Sequence, residues 1–305
     1  MSEPVAAGAQ RYFKKDEDVN LLYSNDRRGQ YPDSWYAATA TPLARFPTLK
    51  GHLKADVCVV GGGYTGLSAA LHLAQAGRDV VLIDAQRVGF GASGRNGGQL
   101  GSGQRVEQDA LEKMLGTDHA ARLWHMGEEA KDLVKSLIAA HNIDCHLKPG
   151  VAWTASDNGD LKHLHDHAAH LNARYGYDQI DVLDHAALQG ICPSPDYVGG
   201  ILDRDAAHLH PLNYALGLAR AAAAAGVRIF ETSPAHHIEE GTKTIVQTDA
   251  GRVQADHVVL ACNGYLGGLN RKVAARVMPI NNFIAATEPL VRLYDASGNL
   301  IDTDD

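Results

Sequence analysis

The sequence has few cysteines, no excess of basic residues and no long apolar run. Its four cysteines lie far apart and include no C-x-x-C pair, so we expect reduced, mostly buried thiols. Its net charge of −8 argues against nucleic acid as a partner, because no basic stripe offsets it. Residues 1–30 contain scattered charges but no apolar stretch, and nowhere do about 18 apolar residues run together. We therefore expect no conventional signal peptide, no membrane span and a cytoplasmic location.

Glycine, in contrast, is abundant: the chain has 31, and many of them lie between Gly61 and Gly103. Clustered glycines indicate a place where the backbone approaches a ligand closely. Residues 57–60 form a short apolar run that ends in glycine, which is typical of a buried parallel strand. Residues 64–76 have helical spacing, and residues 80–84 form a second apolar strand. This order predicts a βαβ unit.

A glycine motif connects the first strand to the helix. Gly61-x-Gly63-x-x-Gly66 alone would be weak evidence, but here it directly follows an apolar strand and opens a helix. In a dinucleotide-binding turn the first glycine makes the tight turn and the second lets the pyrophosphate approach the backbone. The third lets helix and strand pack closely. The first helical residues, Tyr64 and Thr65, would present free N–H groups and the positive end of the helix dipole to the phosphates.

The second strand ends at Asp84, about 20 residues further on, where a carboxylate accepts hydrogen bonds from ribose hydroxyls and disfavours NADP. These features do not separate FAD from NAD. An NAD-dependent dehydrogenase would ordinarily continue into a third βα unit, but here a glycine-rich loop follows over residues 89–99. Its N–H groups, together with Arg95 and Asn96, are suited to hold a cofactor. The predicted contacts in the loop are Gly91, Ala92, Ser93, Arg95, Asn96, Gly97, Gly98 and Gln99.

Residues 59–66, Asp84 and the glycine-rich loop together resemble the D-amino-acid oxidase superfamily of flavin-dependent amine oxidoreductases. The resemblance implies FAD as the cofactor. Some relatives attach the flavin covalently through His or Cys, but no residue here clearly invites such a bond, so we expect FAD to be bound without a covalent link. More narrowly, the loop and the segments 31–38 and 279–290 resemble the gamma-glutamylputrescine oxidoreductase branch. The likeness covers most of the chain.

The same resemblance implies cofactor contacts in the second half of the chain. The strand that begins near Ala235 would lie against the adenine and contact it mainly through its backbone. Residues 256–264 look like the strand and turn that close over the nucleotide, with contacts from Cys262, Asn263 and Gly264.

The predicted fold is α/β, with a Rossmann-like βαβ lobe that binds FAD and an interleaved, truncated α+β substrate lobe. We assign residues 1–55 to an N-terminal lead-in, and residues 56–105 and 196–275 to the discontinuous FAD-binding lobe. Residues 106–195 form a helical insert on the substrate side. Residues 276–305 hold the start of the substrate sheet and a tail that does not match the family.

The resemblance implies oxidation of the C–N bond of a small-molecule amine. Hydride would pass to the flavin, the imine would hydrolyse to an aldehyde and ammonia, and dioxygen or another acceptor would take the electrons. The implied substrate is gamma-glutamylputrescine, and an N-substituted amino acid of the sarcosine or glycine type is the alternative.

Family members continue beyond the segment that matches residues 287–290, with a sheet arm and a second glycine-rich loop. A non-catalytic flavin-binding remnant is therefore the alternative from another functional class. No catalytic residue is assigned, because the family's candidates lie partly beyond Leu290.

The sequence also predicts other helices and strands, which apart from Ala235 carry no candidate site residues. A long helical region is expected over residues 107–142. Its predicted inner face consists of Leu111, Leu115, Leu123, Met126, Leu133 and Leu137. Further strands are predicted over residues 235–239, 244–248, 251–254 and 258–261. Between Tyr294 and Leu300, a turn sequence indicates a polar tail or a hairpin remnant.

Four histidines lie on one predicted helix over residues 161–175: His163, His165, His167 and His170. No H-E-x-x-H signature accompanies them. A solvated polar face is the favoured interpretation, and no metal site is predicted.

Overall fold

The computed structural model describes residues 22–23, 26–280, 282–285, 293–294 and 300–301. Its strands are β1 (Gly51–Val60), β2 (Val80–Ile83), β3 (Gln99–Leu100), β4 (Lys148–Ala155), β5 (Ile180–Asp184), β6 (Gly199–His208), β7 (Arg228–Phe230), β8 (Ala235–Glu239), β9 (Thr244–Thr248), β10 (Gly251–Leu260), β11 (Leu293–Tyr294) and β12 (Leu300–Ile301). Its α-helices are α1 (Trp35–Thr39), α2 (Tyr64–Gln75), α3 (Gln108–Leu115), α4 (Thr117–Ala140), α5 (Asn158–Tyr175), α6 (His185–Gln189), α7 (Pro211–Ala224) and α8 (Arg271–Ala274). Short 3₁₀ turns lie at Ala92–Gly94, Asn263–Tyr265 and Gly267–Leu269.

The first sheet has six strands in the order β7-β2-β1-β10-β9-β8. Strands β7, β2, β1 and β10 are parallel, and β9 and β8 extend the sheet as an antiparallel ribbon. The last four residues of β1 and all four of β2 are buried. Burial on both faces explains why these strands are continuous apolar runs. Because the strands are parallel, β1, β2 and β10 end side by side at one edge.

Helices α2 and α7 cover one face of the first sheet. Leu67 and Leu71 of α2 and Leu212 and Leu216 of α7 belong to one buried cluster with the sheet. Burial of each leucine contributes roughly 2 kcal/mol. Most of α7 is buried, since its alanines let it pack closely against its neighbours on several sides. The apolar contacts fix the start of α2 against the end of β1.

The second sheet is built around β6, which pairs with β4 on one side and with β3 and β5 on the other. Helix α5 packs on it through Leu164 and Ala168, which contact Ile201. Strand β6 therefore belongs to this sheet, although the sequence analysis placed all of residues 196–275 in the FAD-binding lobe. An apolar strand gives no sign of the sheet in which it will pair, so the sequence could not set this boundary.

The predicted helical region over residues 107–142 is divided into two helices. Gly116, at φ +80°, ends α3, and α4 begins at the next residue. Leu111 and Leu137 are buried, as predicted, and Leu123 is half-buried.

The prediction is wrong for the other three residues of the inner face, which are exposed to solvent. The exposed fractions are 46% for Leu115, 60% for Met126 and 43% for Leu133. Helix α4 instead buries a stripe that includes Ala120, Trp124 and Lys131. Hydropathy misses this stripe because Lys131 counts as polar, whereas its ammonium group is paired with Glu128 and Asp205.

The described part of the N-terminal lead-in packs onto the first sheet. Leu49 is fully buried, and Arg28 forms an ion pair with Asp249 at 2.9 Å. Strand β1 begins at Gly51. The predicted boundary at residue 55 therefore falls within a strand, because β10 pairs with β1 along its whole length. Residues 1–21 lie outside the described residues.

The later strands follow the sequence closely. Strands β8 and β9 have the predicted bounds, whereas the strands predicted over 251–254 and 258–261 are one strand, β10. Strands β11 and β12 pair antiparallel, which confirms the hairpin; its predicted turn falls outside the described residues.

The histidines of α5 are less solvated than expected. His163 contacts Glu107 at 3.0 Å and His170 contacts Glu112 at 3.2 Å, so this face docks against α3 and the residue before it. Within the described residues, no group of three or more His, Cys, Asp or Glu side chains could hold a metal. The four cysteines are free thiols. Over the same ranges, no helix has the length and apolarity needed to cross a membrane.

Candidate nucleotide-binding site

At three positions, the turn between β1 and α2 has room only for glycine. Gly61 has φ +110°, and an added Cβ would lie 2.5 Å from the carbonyl oxygen of Ala261. At Gly66 an added Cβ would lie only 1.9 Å from the carbonyl oxygen of Gly61. At Gly63 it would lie 2.8 Å from Ser93 Oγ. The contacts at Gly61 and Gly66 agree with the tight turn and the close packing expected from the sequence. At Gly63 the nearest atom belongs to Ser93, and its approach to a pyrophosphate stays a prediction.

The first turn of α2 offers backbone donors. Its N-cap, Gly63, has no side chain to accept a hydrogen bond. The Tyr64 N–H donates to Ser93 Oγ at 3.0 Å. The N–H groups of Thr65 and Gly66 belong to the first turn, where no intrahelical acceptor exists. With the positive dipole end, they form a site suited to a phosphate.

Asp84 follows β2 and points back to the turn. Its Oδ2 accepts the Gly62 N–H at 2.6 Å, and its Oδ1 accepts the Gln86 N–H at 2.7 Å. Burial raises the pKa of Asp84 to about 6; the two N–H bonds oppose the rise, and the Glu231 carboxylate adds to it. Each carboxylate oxygen keeps a second lone pair, so ribose hydroxyls could still be bound there.

A buried polar network below Asp84 was not foreseen from the sequence. Glu231 accepts the Val88 N–H at 3.0 Å on Oε1, and on Oε2 it accepts the Phe46 N–H at 3.1 Å and Arg87 Nε at 3.3 Å. The residues come from three distant parts of the chain, and only the fold brings them together. The one hint in the sequence was the position of Glu231, an acidic residue directly after an apolar strand.

Gln86 joins the N-terminal lead-in to the turn after Asp84 through hydrogen bonds. It is fully buried, and its Oε1 accepts the Gly29 N–H at 2.6 Å. Its Nε2 donates to the Leu22 carbonyl at 2.6 Å. The lead-in thereby closes the outer side of the Asp84 turn.

The glycine-rich loop holds its shape largely through Asn96. The Asn96 amide nitrogen donates to the carbonyls of Ala92 at 3.0 Å and Ser93 at 3.2 Å. Its amide oxygen accepts the Gly98 N–H at 2.8 Å. Asn96 therefore stabilises the fold of the loop, and its contact with the cofactor stays a prediction.

Arg95 likewise contacts the protein. Its Nε donates to the Phe90 carbonyl at 2.7 Å, its Nη1 pairs with Asp26 at 3.0 Å, and its guanidinium lies 4.3 Å from the Phe90 ring centroid. Its Nη2 is buried and has no acceptor among the described residues.

The later predicted contacts also reach this edge of the sheet. The Ser233 N–H donates to the Asp84 carbonyl at 2.8 Å, which brings the start of β8 at Ala235 close to Asp84. Cys262 follows β10, and its thiol donates to the Val60 carbonyl at 3.3 Å. Burial raises the pKa of Cys262 to about 11, so this thiol is neutral.

A short 3₁₀ turn continues from Cys262 over the loop. Asn263 adopts φ +48°, and an added Cβ at Gly91 would lie 2.9 Å from the Tyr265 ring. Gly264 adjoins Pro279. The turn therefore closes the site from the β10 side, and Tyr265 is a neighbour that the sequence analysis missed.

A groove of about 390 Å³ leads away from the first turn of α2 toward α4. Tyr64, Thr65, Asn96, Gly98 and Gln99 line one side of it, and Leu133 and Leu137 are among the residues on the other. Gly97 is exposed, with nothing within 4 Å of an added Cβ.

Gly61, Gly66, Asp84 and Cys262 thus lie at the shared edge of β1, β2 and β10. The end of the predicted loop lies elsewhere, since Gly98 packs against Leu209 and Gln99 pairs with β6 of the second sheet. The close approach at Gly63, the free donors of α2 and the Asp84 carboxylate fit the AMP half of a dinucleotide.

Comparison with known proteins agrees with this geometry. Residues 56–304 match the family model described as FAD dependent oxidoreductase, DAO. The chain is 44% identical over 261 residues to a probable oxidoreductase OrdL of Rhizobium meliloti (strain 1021), covering 84% of this chain and 60% of that protein. It is 42% identical over 262 residues to gamma-glutamylputrescine oxidoreductase of Escherichia coli (strain K12), covering 86% and 61%. The chain spans about 60% of the length of these relatives.

Among solved structures, glycine oxidase from Geobacillus kaustophilus is similar with a TM-score of 0.60 and 22% identity, over 72% of this chain and 58% of that chain. This likeness shows the fold. The family match extends to residue 304.

Proposed function

Because the chain belongs to the DAO family of FAD-dependent oxidoreductases, we propose that it oxidises the C–N bond of an amine, with gamma-glutamylputrescine as the substrate. The observation that carries this choice is the 42% identity to the Escherichia coli gamma-glutamylputrescine oxidoreductase over 86% of the chain. The geometry of the turn and of the glycine-rich loop supports the position of the cofactor.

The residues of the first sheet would hold the AMP half of FAD. The first turn of α2, at Thr65 and Gly66, would donate N–H groups to the pyrophosphate. Asp84 would accept hydrogen bonds from the adenosine ribose, and the backbone at Ala235 would border the adenine. Arg95, through its Nη2, would supply a donor from the glycine-rich loop.

When bound, FAD supplies the acceptor for the hydride that leaves the amine-bearing carbon. The amine loses this hydride from carbon and a proton from nitrogen, two electrons and two protons in total, and becomes an imine. Water then hydrolyses the imine to an aldehyde and ammonia. Dioxygen takes the two electrons and two protons and becomes hydrogen peroxide. The protein's part is to position the reactants and exclude water. A cytoplasmic location and the oxygen acceptor stay predictions.

Anaerobic reduction of the purified, FAD-loaded chain tests the proposal. Addition of gamma-glutamylputrescine should bleach the flavin absorbance near about 450 nm, and air should restore it with release of hydrogen peroxide. Bleaching by sarcosine or glycine alone would move the substrate assignment to N-substituted or simple amino acids. Flavin that is bound but reduced by none of these amines would contradict the proposed activity and support a flavin-binding role without catalysis.

A further inference from the structure

A second cavity lies on the helix-covered face of the second sheet. Its volume is about 60 Å³, and it is enclosed by the loop after β3, helices α4 and α5, and strand β6. One water needs roughly 10–15 Å³ of such space. The cavity is therefore large enough for a small organic ligand and too small for FAD.

Aromatic rings form much of its wall. The rings of Trp153 and His167 are nearly parallel, with 10° between their planes and 6.2 Å between their centroids. Trp124 is held by Tyr175 at 5.4 Å and Tyr177 at 5.2 Å. Burial lowers the pKa of His167, so its ring is neutral at pH 7. The faces of tryptophan rings attract cations.

One buried carboxylate lines the cavity without a cation of its own. Asp203 is 8% exposed, and Oδ1 receives all its hydrogen bonds: from Tyr177 OH at 2.7 Å and from the N–H groups of Asp205 and Ala206. Within the described residues nothing donates to Oδ2. The nearby Lys131 ammonium instead contacts Asp205 at 2.6 Å and a second carboxylate.

Gln108 adds a second unsatisfied acceptor to the lining. The residue is 2% exposed, and its Nε2 donates to the Ala120 carbonyl at 2.7 Å and to Tyr175 OH at 2.9 Å. Its Oε1 has no donor among the described residues. Buried acceptors normally have a partner, so this oxygen marks a place for an N–H or O–H group.

The other charged groups of the lining leave the carboxylate available. Glu107 contacts His163 at 3.0 Å, and Arg105 is exposed. An aromatic wall, a carboxylate with a free oxygen and an acceptor amide call for a ligand that is cationic and rich in N–H donors.

We propose that this cavity binds a small primary alkylammonium ion, at a site separate from the flavin and its substrate. The ammonium group would donate to Asp203 Oδ2 and lie against the Trp153 ring, and the short alkyl chain would contact Trp124. The loop that encloses it continues directly from β3, so occupancy would also restrain the segment that leaves the glycine-rich loop.

Titration of the purified 305-residue chain with ethylammonium chloride, followed by tryptophan fluorescence at constant ionic strength, tests the proposal. A saturable change is expected with ethylammonium but not with ethanol, which has the same shape without the charge. Equal saturation by both would overturn the cationic site, and no saturation by ethylammonium would overturn the site altogether.

Two variants and one control locate the effect. Asp203→Asn keeps the shape of the side chain and should weaken ethylammonium binding at least tenfold. Trp153→Leu changes a half-exposed side chain, so folding should persist while binding weakens similarly. Asp181→Asn removes an exposed carboxylate on neighbouring β5, which is paired with Arg204, and should bind like the wild type. Unchanged affinity in Trp153→Leu, or in a folded Asp203→Asn protein, would place the ligand elsewhere.

Discussion

Replacement of Gly66 by alanine perturbs the candidate FAD site at its most crowded point. The new Cβ would lie 1.9 Å from the Gly61 carbonyl oxygen and 3.3 Å from the Ala261 Cβ. Ordinary contacts require more than 3 Å, so α2 must move away from the end of β1 by roughly 1 Å. Overpacking of this size costs about 1–3 kcal/mol of folding free energy.

The same shift displaces the N–H groups that would bind the pyrophosphate. If the whole cost also falls on FAD binding, 1–3 kcal/mol corresponds to roughly a 5- to 150-fold weaker affinity. Urea unfolding of the cofactor-free chain measures the first effect, and titration with FAD followed by flavin fluorescence measures the second.

Gly268→Ala is the matched control. Gly268 is exposed, and an added Cβ there meets nothing within 4 Å. It should change neither stability nor FAD affinity. The reasoning is refuted if Gly66→Ala keeps the wild-type stability and affinity, or if Gly268→Ala loses as much as Gly66→Ala.

Three further predictions concern the polar groups around the site. In cofactor-free protein the pKa of Asp84 is raised to about 6, so as the pH falls the folded chain binds a proton there at a higher pH than the unfolded chain does. The unfolding free energy should therefore fall, by about 1–3 kcal/mol in total, as the pH rises from about 4 to 6; urea titrations should show a smaller fall in Asp84→Asn, and an equal fall would contradict the assignment. Glu231→Gln keeps the shape of the side chain but replaces its charge with a neutral amide beside Arg87 and the Phe46 N–H. In urea unfolding it should lower the unfolding free energy by about 3 kcal/mol. A loss below about 0.5 kcal/mol would show that the Glu231–Arg87 pair is not buried in solution. Asn96→Ala removes the bonds that shape the glycine-rich loop and should weaken FAD binding about tenfold by flavin titration; unchanged binding would mean that the loop is formed without Asn96.

Short-range signals predicted the βαβ unit well. The glycine positions depend on local contacts between a strand end and the helix that follows it, so Gly61 and Gly66 could be interpreted from their spacing alone. Asp84 follows from the same spacing. The bounds of β8 and β9 were also recovered, because each strand is short and ends in residues that favour turns.

Long-range partners could not be predicted in this way. Nothing near Arg95 in the sequence indicates Asp26, and nothing near Glu231 indicates Phe46. The buried face of α4 was misplaced for a related reason: Lys131 is buried because carboxylates from two different elements neutralise it. Periodicity reports which side chains are apolar, whereas burial of a charge depends on partners that only the fold supplies.

We propose that FAD lies across the first turn of α2 with its adenosine ribose on Asp84. A crystal structure of the chain grown with FAD tests this most directly. We expect pyrophosphate oxygens within hydrogen-bond distance, about 3 Å, of the Thr65 or Gly66 N–H, and adenosine ribose hydroxyls on the Asp84 carboxylate. Flavin bound elsewhere, for example with its phosphates in the groove beside α4 and Asp84 still contacting only Gly62 and Gln86, would contradict it.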